Sequence, residues 1–410
     1  MILKICKRNY NIDWDVIFLT LVVNVNILRF VMNIYDTNAV LYLIYLSALM
    51  FIVSKNGYEF VHEEYFKLFI LFGGSSLFYL LVSCAWTGFT NVNTVLKMSV
   101  SMAIAAASFS LPYFKIKKFI EYILYINIIY SIYLYFHPMR VSMYLQGDAN
   151  YLNLTLTIGL ALTISIEYLI CNIYSKTSKK EIAKWLMLSI LFFLALSKFT
   201  SRGTIILPVL VGIITILLIG KNEKLKSIFV LVFFSILLYF VIQIYSSNAS
   251  SYAFNRMLRL FDNTSGEDRI VIWSKALNIT IKNMWWLVGG GVNAYRQYQG
   301  YYPHNFFIQF IGEAGILALF FCITLVYYPS SRFLSVNKIF FSNANAYDKH
   351  FTVYASFGAF LYYLLTFSKS FSCYDGIAFF IMAFISYRSS KTLLRFNITE
   401  KKISTEEIKR

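Results

Sequence analysis

The chain has 410 residues, 58% of them hydrophobic and only 14% charged, with a formal net charge of +17 and a mean hydropathy of +0.61. A soluble domain cannot hide that much apolar surface. The Lys and Arg residues are scattered through short loops and form no basic stripe, which excludes a nucleic-acid-binding face.

The apolar residues fall into twelve runs, each read as a transmembrane helix. They are Trp14–Ile34, Ala39–Val53, Leu68–Trp86, Val92–Leu111, Phe119–Phe136, Leu152–Tyr174, Trp185–Leu196, Thr204–Ile219, Ile228–Tyr245, Asn305–Tyr328, Phe351–Phe367 and Gly376–Tyr387. No small-residue cleavage site follows the first run, so that run is expected to stay in place as the insertion signal. With the N-terminus inside, 25 of the 37 Lys and Arg fall in inner loops and 10 in outer loops, and Arg29 and Lys97 lie within helices. The positive-inside rule then puts both termini in the cytoplasm.

The fold class is therefore an all-α integral membrane protein of about twelve helices with one long, structured periplasmic loop. The expected divisions are helices one to nine over 1–245, the loop over 246–304, helices ten to twelve over 305–390 and a basic cytoplasmic tail over 391–410. The loop carries Trp273, Trp285 and Trp286, too much apolar surface for a disordered segment. Within it, Asp268–Trp286 reads as an amphipathic helix, capped by Ser265 or Asp268.

Three groups of residues reach the outer face on this topology: Ser201-Arg202-Gly203, Gly266-Glu267-Asp268-Arg269 and Pro303-His304-Asn305. Arginine offers a fixed fork of donors that matches phosphate oxygens, and a histidine can move one proton near neutrality. Each has a plainer reading. Arg202 could snorkel at the interface, Arg269 could pair with Glu267 or Asp268, and His304 could cap a helix. Lys97 and Arg29 are candidates as intramembrane cations, and Glu313 faces either a cavity or a neighbouring cation, or else is a helix-packing partner. Arg256, Arg259 and Arg296 read as a solvated face. Asp13-Trp14-Asp15 has the spacing of a metal-binding pair but sits alone on the inner side and reads as a helix start. The five cysteines show no CxxC or metal-ligand spacing.

The order of these groups resembles the O-antigen polymerase and ligase superfamily. The resemblance runs through Ser201-Arg202-Gly203, then Ser265, Gly266, Asp268, Arg269 and Trp273, then Gly289 and Gly291, then His304, Asn305, Gln309, Glu313 and Gly315. A weaker echo is Arg140 through Gly147 to Asn150, with Asp148 in place of the family's first Asn.

The resemblance implies a multi-pass protein of the bacterial inner membrane with its active site on the periplasmic side. It implies transfer of a glycan from polyprenyl diphosphate to a sugar hydroxyl, inverting and without metal or cofactor. Arg202 and Arg269 would hold the diphosphate and His304 would be the base. Arg140, Asn150, Asp268, Gly289, Gly291, Arg296, Asn305 and Glu313 would support them. The expected partners are lipid-linked oligosaccharide donor and acceptor, the bilayer and a chain-length regulator, with no nucleic acid. The leading reading is the polymerase. The ligase that moves the finished chain to lipid A-core is the near alternative, and a lipid-linked glycan flippase is the alternative of another class. A flippase would keep its polar residues at the midplane and show inverted repeats, whereas here the motifs gather on one outer loop.

Overall fold

The computed structural model describes residues 2–5, 8–11, 13–32, 38–55, 59–136, 151–175, 177–197, 202–219, 268–340 and 347–409, with the single positions 232 and 236. A short antiparallel hairpin, β1 (Ile2–Ile5) and β2 (Arg8–Asn11), opens the chain, with Ile2 opposite Asn11. This small hairpin is a departure from the all-α expectation. The rest of the described chain is helices and their connections.

The helices are α1 (Trp14–Val23), α2 (Val25–Met32), α3 (Asn38–Lys55), α4 (Glu64–Thr87), α5 (Val92–Ser108), α6 (Tyr113–Phe136), α7 (Tyr151–Tyr174), α8 (Lys179–Ser197) and α9 (Arg202–Ile219). Three short helices follow, α10 (Asp268–Lys282), α11 (Trp285–Val288) and α12 (Ala294–Gln299), and then α13 (Phe306–Phe340), α14 (Tyr347–Phe367) and α15 (Ile377–Lys409). Eleven of the twelve apolar runs thus coincide with helices, while the ninth, Ile228–Tyr245, falls almost wholly outside the described residues.

Four segments are long and apolar enough to cross a bilayer: Glu64–Thr87, Thr155–Tyr174, Phe306–Asn337 and Ile377–Arg395. Three shorter apolar helices are Trp14–Val23, Leu43–Ser54 and Gly203–Leu218. The chain is a multi-pass membrane protein. On α4, Ile70, Leu71 and Phe78 are exposed, Phe78 by 69%. A helix that is apolar on its exposed face as well as its buried one is built for lipid.

Three boundaries differ from the sequence reading. The first run is broken at Asn24, which donates its side-chain amide to Thr20 O at 2.9 Å and receives one from Asn127 at 2.9 Å. Such a local side-chain bond competes with the helix ladder, and the chain divides into α1 and α2 there. The seventh run lies within the longer α8, and the twelfth lies within α15, which runs on past residue 390 without a break.

Contacts between helix ends fall into two sets. At one end Asp15 and Asp13 on the α1 side meet Lys115 and Lys118 of α6 at 2.5 and 2.6 Å. Glu63 before α4 meets Lys391 and Arg395 of α15, and Asn337 of α13 donates to Leu218 O of α9 at 2.7 Å. At the other end Asn293 meets Asn91, Gln297 meets Thr87 O, and Lys97 meets Asp375. No described contact mixes the two sets, as alternating helix directions require. The Asp13-Trp14-Asp15 carboxylates are thus committed to lysines.

Candidate active site

The second set of helix ends contains the candidate groups. His304 begins the approach to α13 with a left-handed backbone, φ 54, which few residues other than glycine adopt. The next residue shows why the turn is made. Asn305 Oδ1 accepts from Ile308 N at 3.0 Å and caps α13. Its amide donates to Ser368 O at 2.5 Å, fixing the helix start to the turn between α14 and α15.

That turn, Ser368–Ser370, is where the groups meet. Arg269, in the first turn of α10, donates through Nη1 to Lys369 O at 3.2 Å and to Ser370 Oγ at 2.8 Å. His304 hydrogen-bonds the backbone of Ser370, an interaction that favours the charged ring. The backbone partner is therefore an acceptor, and the ring donates one N–H to it. The other nitrogen is left as the basic one. The Lys369 ammonium lies beside the start of α9, 3.7 Å from where a Cβ on Gly203 would stand. One three-residue turn therefore brings together the segments carrying Arg202, Arg269 and His304.

Electrostatics here favour a neutral imidazole. Burial, and next the Arg269 charge, push the His304 pKa below the ordinary histidine value, and the Ser370 backbone opposes them. The Tyr302 ring stands 4.1 Å from the His304 ring. Burial raises the Tyr302 phenol, as does the Asp375 charge, while Arg269 and Arg296 lower it.

Gly289, Gly291 and Glu313 act through backbone geometry and packing. At Gly315 the α13 backbone leaves helical geometry, with φ 68 and ψ −147. The Gly289-Gly290-Gly291 segment docks on the break. Gly290 N donates to Gly312 O at 2.8 Å and Gly291 N to Glu313 O at 2.9 Å, satisfying helix carbonyls that the break would orphan. A Cβ on Gly315 would stand 2.6 Å from Leu287 O and 2.7 Å from Gly289 N. Gly289 and Gly291, with φ 78 and 91, are a backbone splice between the loop and α13.

Glu313 is fully buried. It accepts from the Tyr374 hydroxyl and from Gln309 Nε2, the latter at 3.0 Å, so it is a packing partner within this end of the fold. Arg296 is exposed. Lys97, read as an intramembrane cation, has an acidic partner. It lies in the second turn of α5, pairs with Asp375 at 2.7 Å, and is 46% exposed. Arg202 and Asp268 begin α9 and α10, but their side chains lie outside the described residues, as does that of Arg29. Arg140, Asn150, Ser265, Arg256 and Arg259 lie outside them altogether. The sequence reading missed Ser370, Tyr302 and Tyr374, and counted Lys369 only as a loop charge.

Residues 182–323 match the model of a protein family described as O-Antigen ligase. The match spans roughly a third of the chain, from within α8 through the SRG, DR, Gly289–Gly291 and His304 groups and into α13. Over that segment the match supports the resemblance to the O-antigen polymerase and ligase superfamily. The Ser368–Ser370 turn lies beyond the matched segment. No curated protein matches the chain.

Proposed function

We propose that the protein is an O-antigen polymerase that moves a growing glycan from polyprenyl diphosphate to a sugar hydroxyl on a second lipid-linked repeat unit. The observation that carries this reading is the convergence of Arg269, Lys369 and His304 on one turn, beside the start of the Arg202 helix. The acceptor oxygen attacks the anomeric carbon from the face opposite the diphosphate and inverts that centre. The carbon–oxygen bond to the diphosphate breaks, and its electron pair leaves with the phosphate. His304 takes the acceptor proton, a contribution of about 10²–10⁴-fold when well placed.

The leaving diphosphate gains charge, so fixed cationic donors lower the barrier. Arg269 spends Nη1 on the turn. A guanidinium has five N–H donors, so its remaining nitrogens are those offered to phosphate. Arg202 supplies the second fork and the Lys369 ammonium a third positive charge. Asn305, the Gly289–Gly291 splice and Glu313 hold the base and the cations in register.

In the proposed topology both termini are cytoplasmic and this site is periplasmic in the inner membrane. Reporter fusions at Ser178 and Arg410 should report cytoplasm, and a fusion at Gly300 periplasm. A periplasmic signal at Arg410 would refute the twelve-span arrangement.

The ligase reading shares its name with the matched family and uses the same residues, because only the acceptor differs. Deletion of the gene separates the two. Loss of a polymerase leaves lipopolysaccharide capped by one repeat unit, which is the expected gel pattern. Bare core with accumulated lipid-linked polymer would make the protein the ligase.

A further inference from the structure

The Gly289–Gly291 splice has a depth as well as a partner. Its contacts climb α4 in order. Gly289 O accepts from the Tyr79 hydroxyl at 2.8 Å, Val292 N donates to Ser83 Oγ at 3.0 Å, and Gln297 Nε2 donates to Thr87 O at 2.6 Å. On α13, Gly291 N meets Glu313 O, Gly290 N meets Gly312 O, and Leu287 O lies against Gly315. Thr87 ends α4 and Phe306 begins α13. Tyr79 lies eight residues inward of Thr87 and Gly315 nine residues inward of Phe306, about 12 and 13 Å at the helical rise. The headgroup zone on each side of a bilayer is only about 5–8 Å thick. Two helices that cross the membrane therefore place Leu287–Gly289 below that zone.

The backbone and the side chains of this segment agree with that depth. Every backbone N–H from Leu287 to Val292 is spent inside the protein. Leu287 and Val288 donate to Met284 O, Gly289 to Trp285 O, Gly290 and Gly291 to α13, and Val292 to Ser83. A loop in water needs no such closure, whereas backbone at membrane depth does. The side chains at the tip are large, apolar and exposed: Trp286, Leu287 and Val288, the last by 59%. Inward of the splice, a cavity of about 470 Å³ between α4 and α13 is lined by Gly74, Ser75, Phe78, Tyr79, Val82 and Leu317. Phe78 and Val82 in its wall are exposed, so it opens on the lipid face of α4.

We infer that Trp285–Gly291 is a re-entrant segment that dips into the hydrocarbon of the nearer leaflet, where Trp286, Leu287 and Val288 touch lipid acyl chains. A soluble partner could reach these side chains only by crossing the headgroups, and water there would leave three large apolar groups wet. Acyl chains cover them at no such cost. The inference uses no catalytic assignment and holds whichever side of the membrane this end of the molecule faces.

The test uses the full-length protein in phosphatidylcholine vesicles, made with or without phosphatidylcholine brominated midway along its acyl chains. Bromine quenches tryptophan from within the hydrocarbon, and acrylamide quenches it from water. Val288→Trp adds one emitter at the tip to the six natural tryptophans. Tyr298→Trp adds one on α12, at the level of the α4 end, where Tyr298 is 62% exposed. The emission added by Val288→Trp should be lost in brominated vesicles and spared by acrylamide, and that added by Tyr298→Trp should behave in the opposite way. Trp286→Phe asks the same question without a larger side chain, so it reports even if Val288→Trp fails to fold. The emission it removes should be the part that bromine quenches and acrylamide does not. Quenching of the tip emission by acrylamide would overturn the inference by placing the segment in water. Indifference to both quenchers would overturn it too, because protein, such as a second copy of the chain, would then cover the tip.

Discussion

Gly315→Ala tests the backbone splice with little change in chemistry. The residue has φ 68 and ψ −147, a region populated almost only by glycine, where another residue costs about 1–3 kcal/mol. An added Cβ would also stand 2.6 Å from Leu287 O and 2.7 Å from Gly289 N, both backbone atoms that no rotamer change can move aside. The loop must retreat, and the bonds Gly290 N to Gly312 O and Gly291 N to Glu313 O go with it. At roughly 0.5–1.5 kcal/mol net for each bond, the combined cost is about 2–6 kcal/mol. The cost is local, because the loop can lift while the helix bundle stays packed. Hydrogen exchange followed by mass spectrometry should show the Gly290–Val292 amides exchanging at least about 30-fold faster, the factor that corresponds to 2 kcal/mol. Gly300→Ala is the control. Its φ is 82, but nothing lies within 4 Å of the added Cβ, so it carries only the backbone strain of about 1–2 kcal/mol and should leave Gly290–Val292 protected. If Gly315→Ala exchanges no faster at these amides than Gly300→Ala, the splice does not hold the loop.

His304→Ala should abolish glycan transfer while lipid-diphosphate binding, measured by co-purification, is retained; near-normal product would remove the base assignment. The acid limb of kcat/KM should lie below the ordinary histidine value, because burial and Arg269 both lower the His304 pKa and only the neutral ring accepts a proton. Arg269→Gln removes one of those two causes, so the limb should move to higher pH while the rate falls by about 10²–10³-fold; a limb that stays in place or moves lower would refute the coupling. Lys369→Ala should raise KM for the lipid-linked donor and Lys369→Arg should restore it, and an unchanged KM in Lys369→Ala would exclude the third positive charge from the site. Asp15→Asn takes the carboxylate from buried Lys115 and should cost about 3–5 kcal/mol of stability, read as a lower Tm, with turnover per folded molecule unchanged. Lost turnover in a normally stable Asp15→Asn protein would mean that this pair takes part in the chemistry.

What was legible in the sequence depended on how locally each feature is encoded. Helices of apolar residues are a local signal, and α4 and α13 follow from it directly. The cap at the start of α13 was expected of His304, and the neighbouring Asn305 supplies it instead. The break at Asn24 was not readable, since a single Asn inside an apolar run does not report whether its side chain bonds the backbone there. Gly315 lies inside an apolar run, and its φ is set by the loop that packs on it. The partner of Lys97 was not readable, because Asp375 lies 278 positions away. The Ser368–Ser370 turn contributes mostly backbone carbonyls, which carry no residue preference, so nothing in its letters marked it as the meeting point.

The shared attachment of Arg269 and His304 to that turn has a mechanical consequence. Two groups bolted to one small part keep their spacing when the part shifts, as two jaws of a clamp do when the clamp is carried. Arg269 comes from α10 and His304 from the approach to α13, yet both are referred to Ser370, and Asn305 ties the same turn to the α13 start. The separation between the Arg269 guanidinium and the His304 ring is therefore set at Ser370, by a part that belongs to neither of the segments that carry them.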